Sequence, residues 1–163
     1  MRKILKVAEK LSAIQAQTHL IYEFGVSGQC RKLHIDFSYS PKVLDNERLS
    51  EEIIRESLRK YVVIDDGGGP ASEEGWRRFL PLKNLITVSV DDPSGFRGAC
   101  HRHDPVQHLF VAADFASPGL MPGMLIPGKW SVMLSIHALV TETCDVQLTV
   151  WEEMTRNDAV AAL

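Results

Sequence analysis

Two histidines one residue apart, His101 and His103, stand in the stretch "GACHRHDP" with Cys100 and Asp104 beside them. Alternate residues of an extended strand share a face. The spacing could therefore turn both imidazoles toward one divalent ion such as zinc. Structural zinc takes four ligands, and catalytic zinc takes three plus a water. His108, His137 or Asp104 would have to complete the set. The competing reading makes His101–Asp104 a hydrogen-bonded strand end beside a loop, because two histidines alone do not meet the ligand count.

Half of the cupin metal pattern is present. Gly95 stands ahead of His101-x-His103 at the cupin spacing, but the glutamate position is held by Gln107 or His108. The second cupin motif, Pro-x-Gly-x-x-His, has its nearest match in "IPGKWSVMLSIH", which lacks the histidine at that spacing. No Gly-x-Ser-x-Gly elbow and no His-Glu-x-x-His occurs. Cys100 and His101 are adjacent, so on a strand their side chains would point to opposite faces and not pair as nucleophile and base. No catalytic residue is assigned. His19 and His34 fall on outer strand faces as solvated or cross-strand partners.

The elements that would carry these residues are mostly strands. "RKILKVAEKL" reads as a first strand. "THLIYEFGV" places Leu20, Tyr22, Phe24 and Val26 on one face, and "RKLHIDFSYS" places Leu33, Ile35, Phe37 and Tyr39 on one face. The glycine turn between them predicts an antiparallel pair with one wet face. "NLITVSVDD", "QHLFVAAD", "KWSVMLSIHAL" and "CDVQLTVWEE" continue the period of two, with Trp130, Val132, Leu134, Ile136 and Ala138 inside in the third of these. Seven or eight strands at this spacing predict an all-β fold, an antiparallel sandwich of jelly-roll type. One covering helix is expected over about residues 50–63. Ser50 would cap it, Ile54, Leu58 and Tyr61 or Val62 would form its apolar stripe, and Arg59 and Lys60 would sit near its end. The glycines of "DDGGGPASEEGW" make a loop that lacks the Gly-Lys-Ser/Thr of a phosphate loop.

The 163 residues suit one domain, read as 1–152 with a tail over 153–163. A chain this long buries roughly 70% of its unfolded surface and needs no staple. The net charge of −3, with no large basic block, argues against nucleic-acid binding. No apolar run approaches a membrane span, and no signal-peptide core is visible. Three widely spaced cysteines, Cys30, Cys100 and Cys144, read as reduced thiols, so a cytoplasmic protein is expected. Carbohydrate binding on a sandwich face is a further class. Trp76 and Trp151 are its stacking candidates, set against partial burial under a loop or at a strand end.

One segment is distinctive. Ser117-Pro118-Gly119, Pro122-Gly123 and Pro127-Gly128-Lys129-Trp130 resemble the signature of the N-terminal β-domain that precedes PHP-type metal-dependent hydrolases of the CehA/McbA group. "THLIYEFGV" and "KLHIDFSYSP" are similar to the start of that domain. Pro-Gly pairs fix tight turns and forbid helix, and Trp130 would anchor the core. In that family a Gly-Asp-x-His-x-His metal motif opens the catalytic domain, and no Gly-Asp precedes His101-x-His103 here. The resemblance therefore implies the fold and an accessory, assembly or ligand-binding role. The partner would be a separate catalytic protein or a second copy of the chain, and no cofactor is expected. A small cupin-like enzyme with a divalent metal on His101, His103, His108 and His137 is the alternative.

Overall fold

The computed structural model describes residues 1–61 and 75–154. Among the described residues eight strands and one α-helix follow one another: β1 Arg2–Ser12, β2 Thr18–Val26, β3 Cys30–Ser40, α1 Glu47–Tyr61, β4 Leu85–Asp92, β5 Gly95–Cys100, β6 Val106–Ala112, β7 Gly128–Ala138 and β8 Thr143–Met154. They form two four-stranded antiparallel sheets, sheet A in the order β1-β8-β3-β6 and sheet B in the order β2-β7-β4-β5. Among consecutive strands, only β4 and β5 share a sheet.

The expected β2–β3 hairpin does not form. β2 pairs with β7, while β3 pairs with β6 and β8. The turn at Ser27–Cys30, closed by the Cys30 N–H on the Ser27 carbonyl at 3.2 Å, carries the chain from one sheet to the other. Both strands are one-faced, so each can bury its apolar side against the opposite sheet as well as it could beside its neighbour.

The period of two decides the core. Leu33, Ile35, Phe37 and Tyr39 of β3 and Cys144, Val146, Leu148 and Val150 of β8 face Ile86, Val88 and Val90 of β4 and Trp130, Val132, Leu134 and Ile136 of β7. Each such large side chain stabilises the fold by roughly 1.5–3 kcal/mol relative to exposure. Ala138, expected inside, is only half-buried at the strand end. Trp130 is fully buried, and its indole Nε1–H donates to the Ile126 carbonyl at 2.8 Å.

One long side of the sandwich is sewn shut by the proline–glycine segment. Ala116 bridges to Val111 of β6, and Leu120 bridges to Gly98 of β5. Phe110 and Ser117 exchange bonds, Ser117 N–H to the Phe110 carbonyl at 2.9 Å and Phe110 N–H to Ser117 Oγ at 3.0 Å. Met121 N–H reaches the Arg97 carbonyl at 2.7 Å. The two backbones cross so closely that a Cβ on Gly98 would lie 2.2 Å from the Gly119 oxygen, and one on Gly119 would lie 2.5 Å from the Ala99 oxygen. Gly119 also has φ +96°, in the left-handed region. Gly119→Ala will destabilise the protein by about 2 kcal/mol or more. Gly25→Ala, with open space around it, will change stability by less than about 0.5 kcal/mol. Paired thermal melts of the two variants check this.

Arg97, buried beside that crossing, fastens the rest of the segment. Its Nη1 bonds Asp92 Oδ2 at 2.7 Å and the Met124 carbonyl at 3.1 Å, and its Nη2 bonds the Met121 and Gly123 carbonyls at 3.1 Å each. Asp92 Oδ1 in turn accepts from Ser94 N–H, Ser94 Oγ–H and Gly95 N–H, which builds the β4–β5 turn.

At one end of the sandwich, where β3 leaves and β4 begins, Asn84 is completely buried. Its Nδ2 donates to the Pro41 carbonyl at 2.8 Å and to Thr141 Oγ1 at 2.7 Å, and its Oδ1 accepts from Val140 N–H at 2.7 Å. One residue thus ties together three connections: β3–α1, the entry to β4, and β7–β8.

The helix starts earlier than expected. Asn46, not Ser50, supplies the cap: its Oδ1 accepts the Leu49 N–H at 3.0 Å, whereas buried Ser50 returns its hydroxyl to the Asn46 carbonyl. Ile54 and Leu58 pack against buried Trp76 of the 3₁₀ helix Gly75–Phe79, with Leu80 and Leu82 beside them. This apolar cluster is separate from the sandwich core, and Tyr61, expected in the stripe, is exposed. Residues 62 and 63 of the expected helix lie outside the described residues. So does the glycine loop apart from Gly75 and Trp76, and so does the expected tail beyond Met154. Glu153 and Met154, placed with that tail, belong to β8.

Candidate functional site

The His-x-His pair is not on a strand. β5 ends at Cys100, and His101 to Asp104 form irregular chain before β6, with both histidines exposed. The alternation that would give the two imidazoles one face therefore does not operate. The loop is fastened at its far end, where the Asp104 carbonyl accepts Gln107 Nε2–H at 2.9 Å and the Pro105 carbonyl accepts Tyr39 N–H at 2.9 Å. The other two imidazoles of the metal alternative lie elsewhere. His108 is on the outer face of sheet A, its Nδ1 2.8 Å from Asp36 Oδ1, and His137 is on the outer face of sheet B, its Nε2 2.8 Å from Thr87 Oγ1. Among the described residues no group of three or more His, Cys, Asp or Glu side chains is placed to hold a metal. Cys100 points into the core toward the Pro118 carbonyl at 3.4 Å, and burial pushes its thiol pKa up, so it is no neutral-pH thiolate.

The residues that do converge lie on the outer face of sheet A. With Leu33, Ile35 and Phe37 turned inward, His34 and Asp36 must point outward, and the same logic exposes His108 and Phe110 on β6 and Trp151 and Glu153 on β8. Register then aligns them. Lys3 pairs with Trp151, Trp151 with His34, and His34 with Phe110, making one row across all four strands. In the next row Asp36 pairs with Thr149 and His108.

Asp36 links the two rows. Its Oδ2 accepts the Trp151 Nε1–H at 3.0 Å, and its Oδ1 lies 2.8 Å from His108 Nδ1. Glu153 holds the other flank, with Oε2 3.2 Å from His34 Nε2 and Oε1 on the Arg31 guanidinium. The His34 bond, assisted by the Arg31 charge, lowers the Glu153 pKa against the opposing effect of desolvation. Each carboxylate oxygen has two acceptor directions. Asp36, 44% exposed, thus keeps capacity toward solvent after its two bonds are made.

The rings carry ammonium groups. Lys3 Nζ stands 4.6 Å from the Trp151 ring, and Lys32 Nζ stands 4.2 Å from Phe110 and 5.4 Å from Phe115. Phe115 meets Phe110 edge-on at 5.5 Å. Such exposed cation–π contacts are worth about 0.5–1 kcal/mol, so a ligand can displace the lysines at small cost. Beside Phe115, Arg31, Lys32, Asp114 and Glu153 line an open cleft of about 440 Å³. The face offers aromatic surface, fixed acceptors and imidazoles, a binding chemistry with no activated nucleophile in it.

Of the two tryptophans considered for stacking, Trp76 is 2% exposed and unavailable, while Trp151 is half-buried on this face. His34 and His19 are cross-strand partners as expected, the latter with Nδ1 3.0 Å from Ser135 Oγ. The sequence reads His34 only as a solvated or cross-strand partner, and singles out neither Asp36 nor Phe110. Their outward alternation was readable, but the pairing that groups them joins segments more than 70 residues apart. Pro118, Gly119, Pro122, Gly123, Pro127 and Gly128 form the segment that closes the sandwich side and lead into β7 and Trp130. Among the described residues, no helix is long and apolar enough to cross a membrane. No protein-family model matches the chain, and no curated protein matches it.

Proposed function

We propose that the chain is a non-catalytic accessory module of jelly-roll type that binds a ligand on the outer face of sheet A. The observation that carries this reading is the row Lys3, Trp151, His34 and Phe110 with Asp36 and Glu153 held among the rings. The strand pairs β1–β8, β2–β7, β3–β6 and β4–β5, a single hairpin wound into two sheets, support the jelly-roll assignment. The closed Pro-Gly side gives a physical reason for the segment that resembles the PHP-associated β-domain. Free Cys30, Cys100 and Cys144 support a reducing, cytoplasmic setting. A partner, either a second copy or a catalytic protein, would add at the opposite side. There β1 and β2 each pair on one flank only among the described strands.

The test is a metal and turnover assay on protein purified without a histidine tag. Metal content near zero, unchanged in His101→Ala, is expected. So is hydrolysis of bis-p-nitrophenyl phosphate at the buffer rate with added Mn²⁺ or Zn²⁺. A bound metal and a turnover that both vanish in His101→Ala would sink the accessory reading in favour of the metal enzyme.

A further inference from the structure

We infer that the ligand of the sheet A face is a neutral linear oligosaccharide lying across the strands from Trp151 to Phe110. The inference rests on reading that face as the binding surface. The two rings stand on β8 and β6 with β3 between them, all three in register through His34. Neighbouring strands are about 4.8 Å apart, so the rings are spaced by roughly 10 Å, about the length of a disaccharide. An extended chain can therefore rest a sugar face on each ring, with the intervening stretch over His34.

The polar groups match hydroxyls better than charges. Asp36 is held between the two rows by Trp151 and His108, and Glu153 by His34 and Arg31, so acceptors are fixed where equatorial hydroxyls would point. Those two carboxylates oppose an anionic ligand, and Lys3 and Lys32 over the rings oppose a cationic one. The face is open, which suits a chain and not a small compact molecule. The cleft beside Phe115 flanks this line, in the neighbouring row where Lys32 pairs with Glu153 and Ala112.

The experiment uses the full chain and three probes: cellohexaose, xylohexaose and mannohexaose. Amide and indole NMR shifts are followed during titration. At least one probe is expected to give saturable shifts at Trp151 Nε1–H and along β3, β6 and β8. Trp151→Ala should weaken binding by about tenfold or more, Trp151→Phe should retain most of it, and Asp36→Asn should weaken it with the fold intact. Phe96→Ala, exposed on the far edge, should bind as the parent does. Absence of shifts with all three probes, or shifts confined to another surface, would overturn the inference. So would undiminished binding by a folded Trp151→Ala and Phe110→Ala double variant. Those results leave the metal and turnover assay untouched. Conversely, turnover dependent on His101 would remove the accessory reading while leaving a sugar site in place.

Discussion

Arg97→Met will unfold at a much lower urea concentration than the parent at neutral pH, with a loss of about 3–5 kcal/mol. The methionine fills much of the same volume, so the loss comes from Asp92, which stays buried with its charge unpaired. The Met121, Gly123 and Met124 carbonyls lose their donor as well. Burial alone would raise the Asp92 pKa. Hydrogen bonds from Ser94 and Arg97 outweigh it and hold the carboxyl below its usual range. A carboxylate with a depressed folded pKa stabilises the fold fully above its unfolded pKa of about 4, and the contribution is lost as pH falls through the folded value. The difference between parent and variant is therefore widest at pH 7 and shrinks toward pH 3. Urea midpoints at the two pH values measure it. An equal difference at both would mean that packing, and not the ion pair, carries Arg97. Adding Asp92→Asn to Arg97→Met should recover part of the loss, since it removes the stranded charge.

Asn84→Ala will cost about 3 kcal/mol or more, and will lower the melting temperature by roughly 6–12 °C for a chain of this size. Three groups on separate connections lose their bonds to Asn84 together: the Val140 N–H, the Pro41 carbonyl and the Thr141 hydroxyl. Asn84→Asp keeps the acceptor for Val140 but abolishes both donors. It also puts a carboxylate against the Pro41 carbonyl, so it should be no better tolerated. Denaturation followed by tryptophan fluorescence and by circular dichroism should give coincident transitions, because the residue ties three connections of one cooperative unit. A loss below about 1 kcal/mol would mean that water replaces the side chain.

What could be read from the chain without its structure followed the physics of single strands. Alternation at Leu33, Ile35, Phe37 and Tyr39, and at Trp130, Val132, Leu134 and Ile136, depends only on local sequence, and all of these residues are buried in the sandwich. Partner choice does not depend on local sequence. A short glycine turn after Val26 serves a hairpin or a sheet-to-sheet crossing equally well, so β2 and β3 were paired in expectation and lie apart in the structure. The helix boundary moved because Asn46 and Ser50 are both capping types, and the choice between them is made where the chain leaves Val43 and its bridge to Lys83. Trp151 is legible in the sequence as a stacking candidate, but the group around it is not, for the same reason as the pairing. His34, Asp36, Phe110 and Trp151 are ordinary outward residues of three strands, and become a group only when register sets them side by side. The spacing of His101-x-His103 is local and so legible, yet β5 ends at Cys100, before either histidine, and cannot use it.

The pairing of β1 with β8 has a consequence for biosynthesis. Arg2 sits opposite Glu152, and β1, the earliest of the described strands in chain order, finds its only partner among them in the last, β8. At about 5–20 residues per second, β1 waits many seconds with no neighbour to hydrogen-bond. Its basic side chains, Arg2, Lys3, Lys6 and Lys10, keep it soluble through that interval. Such long-range contacts make closure slow. The nascent chain can settle β4 with β5 early, but sheet A can be completed only after synthesis has passed Met154.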